Sequence, residues 1–275
     1  MAVEAFAPAK INLALHIVGR RADGYHLLDS LVAFADLGDR ITIARARETA
    51  LHVTGPEAAG LAAGPDNLVL RATRLAGAPP LAITLEKNLP VAAGIGGGSS
   101  DAAATLRAVS ALTGRPAPRD LLALGADVPV CHAGRGARMQ GVGEILTPLP
   151  GLPVLNAVLV NPRVAVATSQ VFRLLTDSDN PPMPETIPGF ADAAALVDWL
   201  AAQRNDLQSA AIGLHPAIGR VLAEIGAAPG CLLARMSGSG ATCFGLFGDR
   251  HAADAAAIAL RQVRPDWWVQ ACRIS

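Results

Sequence analysis

The sequence predicts an α+β protein of two domains. Short apolar segments with partial alternation, which are typical of strands, are interspersed with segments whose apolar residues recur at helical spacing. Around Pro148–Pro153 the character changes, because two prolines and a glycine follow each other closely and suit a linker. We therefore expect an N-terminal domain over residues 1–150 and a C-terminal domain over residues 151–275.

Strands are predicted where apolar and β-branched residues cluster between turn residues. In chain order these segments are Val3–Pro8, Ile11–Val18, Ile41–Ala46, Leu51–Thr54, Leu81–Leu85, Gly134–Gly143 (strand and turn), Val154–Val160, Cys231–Phe247 (strand, loop, strand) and Trp267–Ile274. Gly19–Gly24 is predicted as a polar turn and Ser178–Pro188 as a proline-rich surface loop.

Helices are predicted from apolar periodicity and from their end signals. Asn67–Ala76 has apolar residues at positions 68, 69, 72 and 75, with Asp66 as a candidate N-cap. A second helix, Ser100–Leu112, follows a glycine-rich loop and ends before Gly114. The remaining predicted helices are Asp120–Leu124, Ala191–Gln203, Pro216–Ile225 and His251–Val263.

Composition excludes several classes of protein. With 51% hydrophobic and 17% charged residues, the chain is not expected to be disordered. The 23 basic and 23 acidic side chains cancel, which argues against a nucleic-acid partner, since phosphate backbones attract a basic excess. No uninterrupted apolar run is long enough for a membrane span, so no membrane association is expected.

The cysteines and the N-terminal residues favour a cytoplasmic protein. None of the four cysteines forms a C-x-x-C pair, so a structural zinc site is not expected and a reducing compartment fits best. The apolar start of the chain is interrupted by Glu4, Pro8, Lys10 and Asn12, unlike a signal peptide.

The strongest local motif is the glycine-rich segment Pro90–Asp101, which has Gly94, Gly96, Gly97 and Gly98 directly before a helix. Glycines let backbone amides turn towards a phosphate, and a following helix adds unpaired N–H groups and the positive end of its dipole. The serine hydroxyls that follow can add donors. The motif therefore indicates a nucleotide phosphate site, although a flexible loop with serine caps would look the same.

Two familiar nucleotide motifs fit this loop poorly. A Walker loop requires a lysine after its last glycine, and none is present. A dinucleotide fingerprint requires a glycine where Ser99 stands, and an acidic residue at the end of a second strand. A nicotinamide-dependent dehydrogenase is therefore disfavoured.

Three segments in order resemble the motifs of the GHMP kinases (galactose, homoserine, mevalonate and phosphomevalonate kinases). They are Pro8–Leu13, Pro90–Ser100 and Met236–Ala241, and together they span nearly the whole chain. The resemblance implies a two-domain GHMP kinase fold. Its N-terminal nucleotide domain would be like domain 2 of ribosomal protein S5, and its C-terminal domain would be ferredoxin-like.

Four further segments resemble one branch of that family, whose members phosphorylate the 2-hydroxyl of a cytidine diphospho-alcohol in the non-mevalonate isoprenoid pathway. They are Lys10–Asn12, Arg21–His26, Gly125–Pro129 and Gly141–Glu144. The resemblance implies ATP as phosphoryl donor, with Mg²⁺ expected from ATP chemistry. It does not assign the ligands of the metal ion, the role of Asp101 or the oligomeric state.

The resemblance also assigns roles to individual residues. Asp127 would accept the proton of the acceptor hydroxyl or orient that hydroxyl, and Lys10 would pair with it. The residues expected to bind ATP are Asn67, Lys87, Pro90, Val91, Ala92, Ala93, Gly94, Ile95, Gly96, Gly97, Gly98, Ser99 and Ser100. The residues expected to bind the substrate are Asn12, Tyr25, His26, Thr168, Phe172, Gly238, Ser239 and Gly240.

Several of these assignments have a structural alternative. Asp127 could be a helix cap, Lys10 a strand-edge lysine that reaches water, and Phe172 a core residue of a short helix. For the whole chain, the alternatives are another GHMP kinase of the homoserine or mevalonate type, and a non-catalytic sugar or nucleotide sensor on the same fold. The Gly24–His26 segment favours a substrate that carries a base, because a tyrosine ring can stack on a pyrimidine.

Overall fold

A computed structural model describes residues 2–275, in which strands and helices alternate along the chain. The strands are β1 (Ala2–Arg20), β2 (His26–Arg45), β3 (Ala50–Thr54), β4 (Leu81–Glu86), β5 (Ala137–Gly141), β6 (Ile145–Pro148), β7 (Leu155–Asn161), β8 (Cys231–Met236), β9 (Cys243–Phe247) and β10 (Trp268–Ile274). The helices are α1 (Leu68–Leu75), α2 (Gly97–Thr113), α3 (Val128–Ala133), α4 (Thr168–Arg173), α5 (Ala193–Ala201), α6 (Gln208–Leu214), α7 (Pro216–Gly226) and α8 (Arg250–Val263), with one 3₁₀ turn at Leu122–Leu124.

The chain forms two compact units that are interleaved along the sequence. Unit 1 comprises residues 1–10, 37–91 and 96–134, and unit 2 comprises residues 11–36, 92–95 and 135–275. Strands β1 and β2 are long, and each contributes one part to unit 1 and the other part to unit 2. The predicted boundary at residue 150 lies inside unit 2, so the division by contacts differs from the predicted one.

In unit 1, the second half of β2 pairs antiparallel with β4, and β4 pairs parallel with β3. Alternate residues of β4 are buried, which gives the half-buried pattern of a sheet with one covered face. The core consists of residues of these strands together with Val69 of α1 and Ala104, Ala108 and Val109 of α2. Small alanines on α2 let this helix lie close to the sheet.

In unit 2, β10 pairs antiparallel with β7, β7 with β9, and β9 with β8. The first half of β2 pairs with β5, and β5 with β6. Helices α7 and α8 each bury an apolar stripe in one core with the inner residues of β7 and β9. This mixture of antiparallel strands and helices agrees with the α+β prediction for the second half of the chain.

Several predicted boundaries were wrong for identifiable reasons. The two strands predicted on either side of Ala9 are one strand, and Pro8 lies within it. A proline is tolerated in a strand where its missing N–H would not face a partner. The N-cap of α1 is Asn67 and not Asp66, because the Asn67 side chain accepts the N–H of Val69 at 2.9 Å.

Helix α2 begins three residues before the predicted start, since Gly96 adopts a left-handed conformation and already ends the loop. The predicted helix Asp120–Leu124 is only the 3₁₀ turn, and helices α3 and α6 were not predicted. The segment predicted as a surface loop, Ser178–Pro188, is partly buried, since Met183 is almost fully enclosed.

A buried ion pair fixes that proline-rich segment in unit 2. Arg138 donates two N–H groups to the carboxylate of Asp29, at 2.7 Å each, and further N–H groups to the carbonyls of Pro184 and Glu185. The same carboxylate accepts the N–H of Met183 at 2.9 Å. The side chains of this ion pair therefore supply hydrogen-bond partners to the backbone of Met183, Pro184 and Glu185.

No helix among residues 2–275 is long and apolar enough to cross a membrane.

Removing the cation of this pair is expected to destabilise the chain. Arg138→Met leaves the carboxylate of Asp29 buried and unpaired, which should lower the free energy of unfolding by about 3–5 kcal/mol in urea denaturation. Arg40→Met is the matched control, because Arg40 pairs with Glu4 at the surface and the effect should stay below about 1 kcal/mol. Equal losses in the two variants would contradict this account.

Candidate active site

The two residues predicted as catalytic lie together in unit 1. The ammonium of Lys10, on β1, lies 2.8 Å from Oδ1 of Asp127, the residue that precedes α3. The Lys10 side chain is 4% exposed, whereas that of Asp127 is 32% exposed. A buried ammonium requires an anionic partner, and here the partner keeps one side open to solvent. Asp127 makes no side-chain capping bond to α3, so its carboxylate is not used as a helix cap.

The end of the glycine-rich loop packs on this lysine. Gly96 has a φ of +63°, and a Cβ built there would lie 3.1 Å from Cβ of Lys10. A larger residue would be disfavoured by both the conformation and the contact. The hydroxyl of Ser100 donates to the carbonyl of Pro8 at 2.7 Å, which holds the first turn of α2 against β1. The start of α2 therefore lies beside the Lys10–Asp127 pair.

The first turn of α2 consists of small residues and has no side-chain cap. Gly97, Gly98 and Ser99 begin the helix, and Gly96 before them offers no side chain to cap it. The first N–H groups of a helix have no partners within it, and they point along the positive end of its dipole. A phosphate bound there would satisfy these N–H groups.

Lys87 lies in a buried cluster of unit 1. Its ammonium donates to Oδ2 of Asp39 at 2.5 Å and to Oδ2 of Asp101 at 2.8 Å, and its side chain is 3% exposed. Burial lowers the pKa of Lys87, but the charges of Asp101 and Asp39 outweigh it and raise the pKa above its usual value. Its position beside a nucleotide stays a prediction, because all the contacts described here are to carboxylates.

Asp101 is the carboxyl group of this cluster whose hydrogen bonding is incomplete. Burial raises the pKa of its carboxyl to about 7, against the opposing effect of Lys87 and with a further rise from Asp39. Its Oδ1 atom is buried and has no hydrogen-bond partner among the described residues. The carboxyl is enclosed, so it differs from an exposed acid that caps a helix.

Asn67 lies at the start of α1 and acts as its cap. Its Oδ1 accepts the N–H of Val69, and its Nδ2 donates to the carbonyl of Ala62 at 2.8 Å. A contact of Asn67 with adenine stays a prediction.

Within unit 2, the middle of the phosphate loop packs backbone to backbone on the third predicted motif. A Cβ at Gly94 would lie 2.6 Å from the carbonyl oxygen of Ser237, and one at Gly238 would lie 2.6 Å from that of Gly94. The N–H of Thr242 donates to the carbonyl of Ala93 at 3.0 Å. Glycine is required on both sides of this contact, which explains why two glycine-rich motifs so far apart in sequence occur together.

Asn12 is fully buried beside that contact. Its backbone N–H donates to Oγ of Ser237 at 3.1 Å, and its Nδ2 donates to Oγ of Ser30 at 2.8 Å. Its Oδ1 has no hydrogen-bond partner among residues 2–275. The predicted hydrogen bond from Asn12 to a substrate oxygen stays a prediction, since the backbone N–H and Nδ2 already donate to protein groups.

The predicted base-binding residues of unit 2 are only partly brought together. The rings of His26 and Phe172 stack with centroids 4.9 Å apart and planes 25° apart. Tyr25 is 65% exposed, so its ring is open to solvent. Burial, assisted by Arg20, lowers the pKa of His26 and favours a neutral imidazole. The hydroxyls of Thr168 and Ser239 lie 2.8 Å apart.

Among residues 2–275, no group of three or more histidine, cysteine or acidic side chains is placed to hold a metal ion. A Mg²⁺ ion that arrives with a nucleotide needs only one or two protein ligands, because phosphate oxygens and water supply the rest.

Sequence reasoning missed Asp39. This residue is fully buried and accepts the N–H groups of Asn88 and Leu89, at 2.6 and 2.8 Å, as well as the ammonium of Lys87. A signal was available, since Lys87 is one of only two lysines in the chain and a buried lysine requires an acid. Nothing in the sequence indicates which acid it would be.

Comparison with known proteins decides the family. The model of the GHMP kinase N-terminal domain matches residues 67–139, and that of the C-terminal domain matches residues 188–266. The chain is 57% identical over 275 residues to the 4-diphosphocytidyl-2-C-methyl-D-erythritol kinase of Cereibacter sphaeroides, with 99% of each chain covered. It is 60% identical over 265 residues to the protein of that name from Paracoccus denitrificans, with 96% of this chain and 94% of the other covered.

A crystal structure of 4-(cytidine 5'-diphospho)-2C-methyl-D-erythritol kinase matches with a TM-score of 0.80 and 38% identity, over 99% of both chains. The chain belongs to the GHMP kinase family. Within this family, it falls among the proteins named 4-diphosphocytidyl-2-C-methyl-D-erythritol kinase. The predicted family, the α+β GHMP kinase fold and the kinase class of enzyme are thereby confirmed. The two GHMP domain models lie on either side of residue 150 without reaching it, so that boundary stays a prediction.

The raised pKa of Asp101 predicts how the stability of this GHMP kinase changes with pH. The folded chain binds this proton more tightly than the unfolded chain, because the pKa is about 7 instead of 3.8. The stabilisation is complete below the unfolded pKa and is lost as the pH rises through the folded pKa. Asp101→Asn should remove that loss, so the Tm of this variant should rise relative to that of the wild type between about pH 4 and about pH 7 and stay level above that range.

Asp254→Asn is the control for this measurement, since the carboxyl of Asp254 is exposed and pairs with Arg250 on the surface of α8. If the curves of Tm against pH were parallel for the wild type and Asp101→Asn, the pKa of Asp101 would not be raised by folding, and the prediction would be wrong.

Proposed function

We propose that this chain transfers the γ-phosphoryl group of ATP to the 2-hydroxyl of 4-diphosphocytidyl-2-C-methyl-D-erythritol, which yields the 2-phosphate and ADP. The end-to-end match to proteins named as kinases of this compound supports the identity of the acceptor. The observation that carries the chemistry is the Lys10–Asp127 ion pair beside the first turn of α2. An isoprenoid precursor pathway in the cytoplasm is the setting that these names and the sequence suggest.

In this proposal, Asp127 receives the acceptor hydroxyl. Its carboxylate is partly exposed and lies beside the Lys10 ammonium, so it can accept the proton as the oxygen attacks phosphorus. The new O–P bond forms as the bond between the γ-phosphorus and the bridging oxygen breaks, and ADP leaves with that electron pair. Lys10 stabilises negative charge near the attacking oxygen.

The phosphate groups of ATP would be held by the backbone at the start of α2. The free N–H groups of Gly97, Gly98 and Ser99 are donors whose positions are fixed before ATP binds, so little ordering is needed when it does. Mg²⁺, when bound with ATP, supplies positive charge that neutralises the phosphate oxygens. The phosphates themselves would be its main ligands, with the hydroxyl of Ser99 as an additional oxygen donor.

The cytidine end would be recognised in unit 2. The open face of the Tyr25 ring suits a pyrimidine, and the stacked rings of His26 and Phe172 form a second aromatic surface. A neutral imidazole has one donor and one acceptor nitrogen, which matches the mixed hydrogen-bonding edge of cytosine.

A panel of acceptors tests the proposed function. ADP release should depend on 4-diphosphocytidyl-2-C-methyl-D-erythritol and stay at background with homoserine or mevalonate. Comparable turnover of either small alcohol would contradict the proposed acceptor, and ATP binding without turnover of any acceptor would favour a non-catalytic sensor.

Asp127→Asn tests the role of the carboxylate while keeping its shape. We expect kcat to fall by about 10²–10⁴, since proton transfer in the transition state is lost. The dissociation constant of a non-hydrolysable ATP analogue, measured by calorimetry, should change by less than about threefold, because the phosphates are bound by α2. Asp120→Asn is a suitable control as an acid of unit 1 outside the site. A variant that keeps wild-type kcat would rule out Asp127 as the group that receives the proton.

Tyr25→Ala tests the base platform. Loss of stacking on a base is worth about 1–3 kcal/mol, so KM for the cytidine substrate should rise about 5- to 150-fold while KM for ATP stays unchanged. Tyr25→Phe keeps the ring and should restore KM. If Tyr25→Ala binds the cytidine substrate as well as the wild type does, the pyrimidine stacks elsewhere.

A further inference from the structure

A single buried ammonium joins the two ends of the phosphate loop in unit 1. Lys87 follows β4 and precedes the loop, and its Nζ donates to Asp101 in the second turn of α2, where the loop ends. Its other partner, Asp39, also accepts the N–H groups of Asn88 and Leu89. The chain that enters the loop and the helix that leaves it are therefore tied to the same charged group.

The ionisable groups of this cluster are not matched one to one. One ammonium faces two carboxyl groups, and Lys87, Asp39 and Asp101 are each almost fully buried. Lys87 and Asp39 alone would make a neutral pair, so Asp101 adds a second buried acid whose Oδ1 has no partner among the described residues. Buried ionic groups of this kind are poor sources of stability, and an apolar replacement is often neutral or stabilising. The placement of Asp101 therefore calls for a reason other than stability.

The geometry gives that reason. Asp101 is four residues after Gly97, so it holds the helix one turn from the N–H groups that would bind phosphate. A Cβ at Gly97 would lie 3.1 Å from Nζ of Lys87, which shows how closely the ammonium approaches the first residue of α2. A guanidinium in place of this compact ammonium would crowd the same backbone.

We propose that Asp39, Lys87 and Asp101 act as positioning residues that fix the first turn of α2 relative to the incoming chain, and thereby set the N–H groups that hold the phosphates of ATP. The inference deepens the proposed function, on which it rests, and gives Lys87 a role that does not require it to touch the nucleotide. Loss of the Lys87–Asp101 contact should weaken the binding of a nucleoside triphosphate and leave the binding of the cytidine substrate unchanged.

Asp101→Ala removes the tie and leaves Lys87 and Asp39 as a neutral pair, so the fold should survive. We expect the dissociation constant of a non-hydrolysable ATP analogue to rise about tenfold by calorimetry, which corresponds to about 1.4 kcal/mol. KM for the cytidine substrate should stay within about twofold of the wild type. Asp101→Asn retains an oxygen that accepts from Lys87, so it should bind the analogue within about threefold of the wild type.

Thr105→Val is the matched control. Thr105 lies one turn further along α2, is buried, and donates its hydroxyl to the carbonyl of Asp101 without contacting Lys87. This variant should bind the analogue as the wild type does. If Asp101→Ala does not fold, Lys87→Arg takes its place, since it keeps the charge but crowds Gly97, and the same tenfold loss is expected.

Wild-type affinity for the analogue in Asp101→Ala, or in Lys87→Arg where that variant replaces it, would overturn the inference. An equal loss in Thr105→Val would do so too, because it would reveal a general loosening of α2. If the wild type binds the analogue but does not phosphorylate the cytidine substrate, the proposed acceptor fails, and the affinities of the variants still decide whether this cluster positions the helix.

Discussion

Burying an ammonium group away from water is the constraint on which this structure depends. The chain has two lysines among 23 basic residues, and both are buried in unit 1. Neither could be enclosed without a carboxylate within hydrogen-bond distance, and the structure supplies Asp127 to Lys10, and Asp39 with Asp101 to Lys87. Lys10 thereby joins β1 to the residue before α3, and Lys87 joins the segment before the glycine-rich loop to α2. Arginine carries the remaining basic charges, and its guanidinium is broader than an ammonium.

The glycines meet a second constraint, which is the close approach of backbone to backbone. Gly96 lets the end of the loop lie on Lys10, while Gly94 and Gly238 let two loops of unit 2 touch with no side chain between them. Gly97 and Gly98, the first two residues of α2, carry no side chains of their own. The same residues thus determine the local conformation and the chemistry that the loop can perform, because a backbone that is bare enough to pack closely is also bare enough to bind phosphate.

The sequence carried enough information for the local parts of this site and too little for the rest. The glycine cluster before a periodic apolar segment predicted a helix with a phosphate loop, and three motifs in order predicted the GHMP kinase family. Pairing across long stretches of chain was not readable from residue patterns, so Asp39 was missed and the contact of Lys87 with two acids was not predicted. β1 was predicted as two strands because Pro8 and Lys10 interrupt its apolar pattern, although one sheet partner and one buried ion pair accommodate both residues.

The most direct test of the central claim is the structure of the product. ³¹P NMR of a reaction that contains the chain, ATP, Mg²⁺ and 4-diphosphocytidyl-2-C-methyl-D-erythritol should show one new phosphomonoester signal. The signal should couple to no proton, because the 2-hydroxyl is borne by a quaternary carbon, and it should grow in proportion to ADP. A phosphomonoester that couples to carbon-bound protons would place the phosphoryl group on another hydroxyl, and the absence of any new signal would contradict the proposed kinase activity itself.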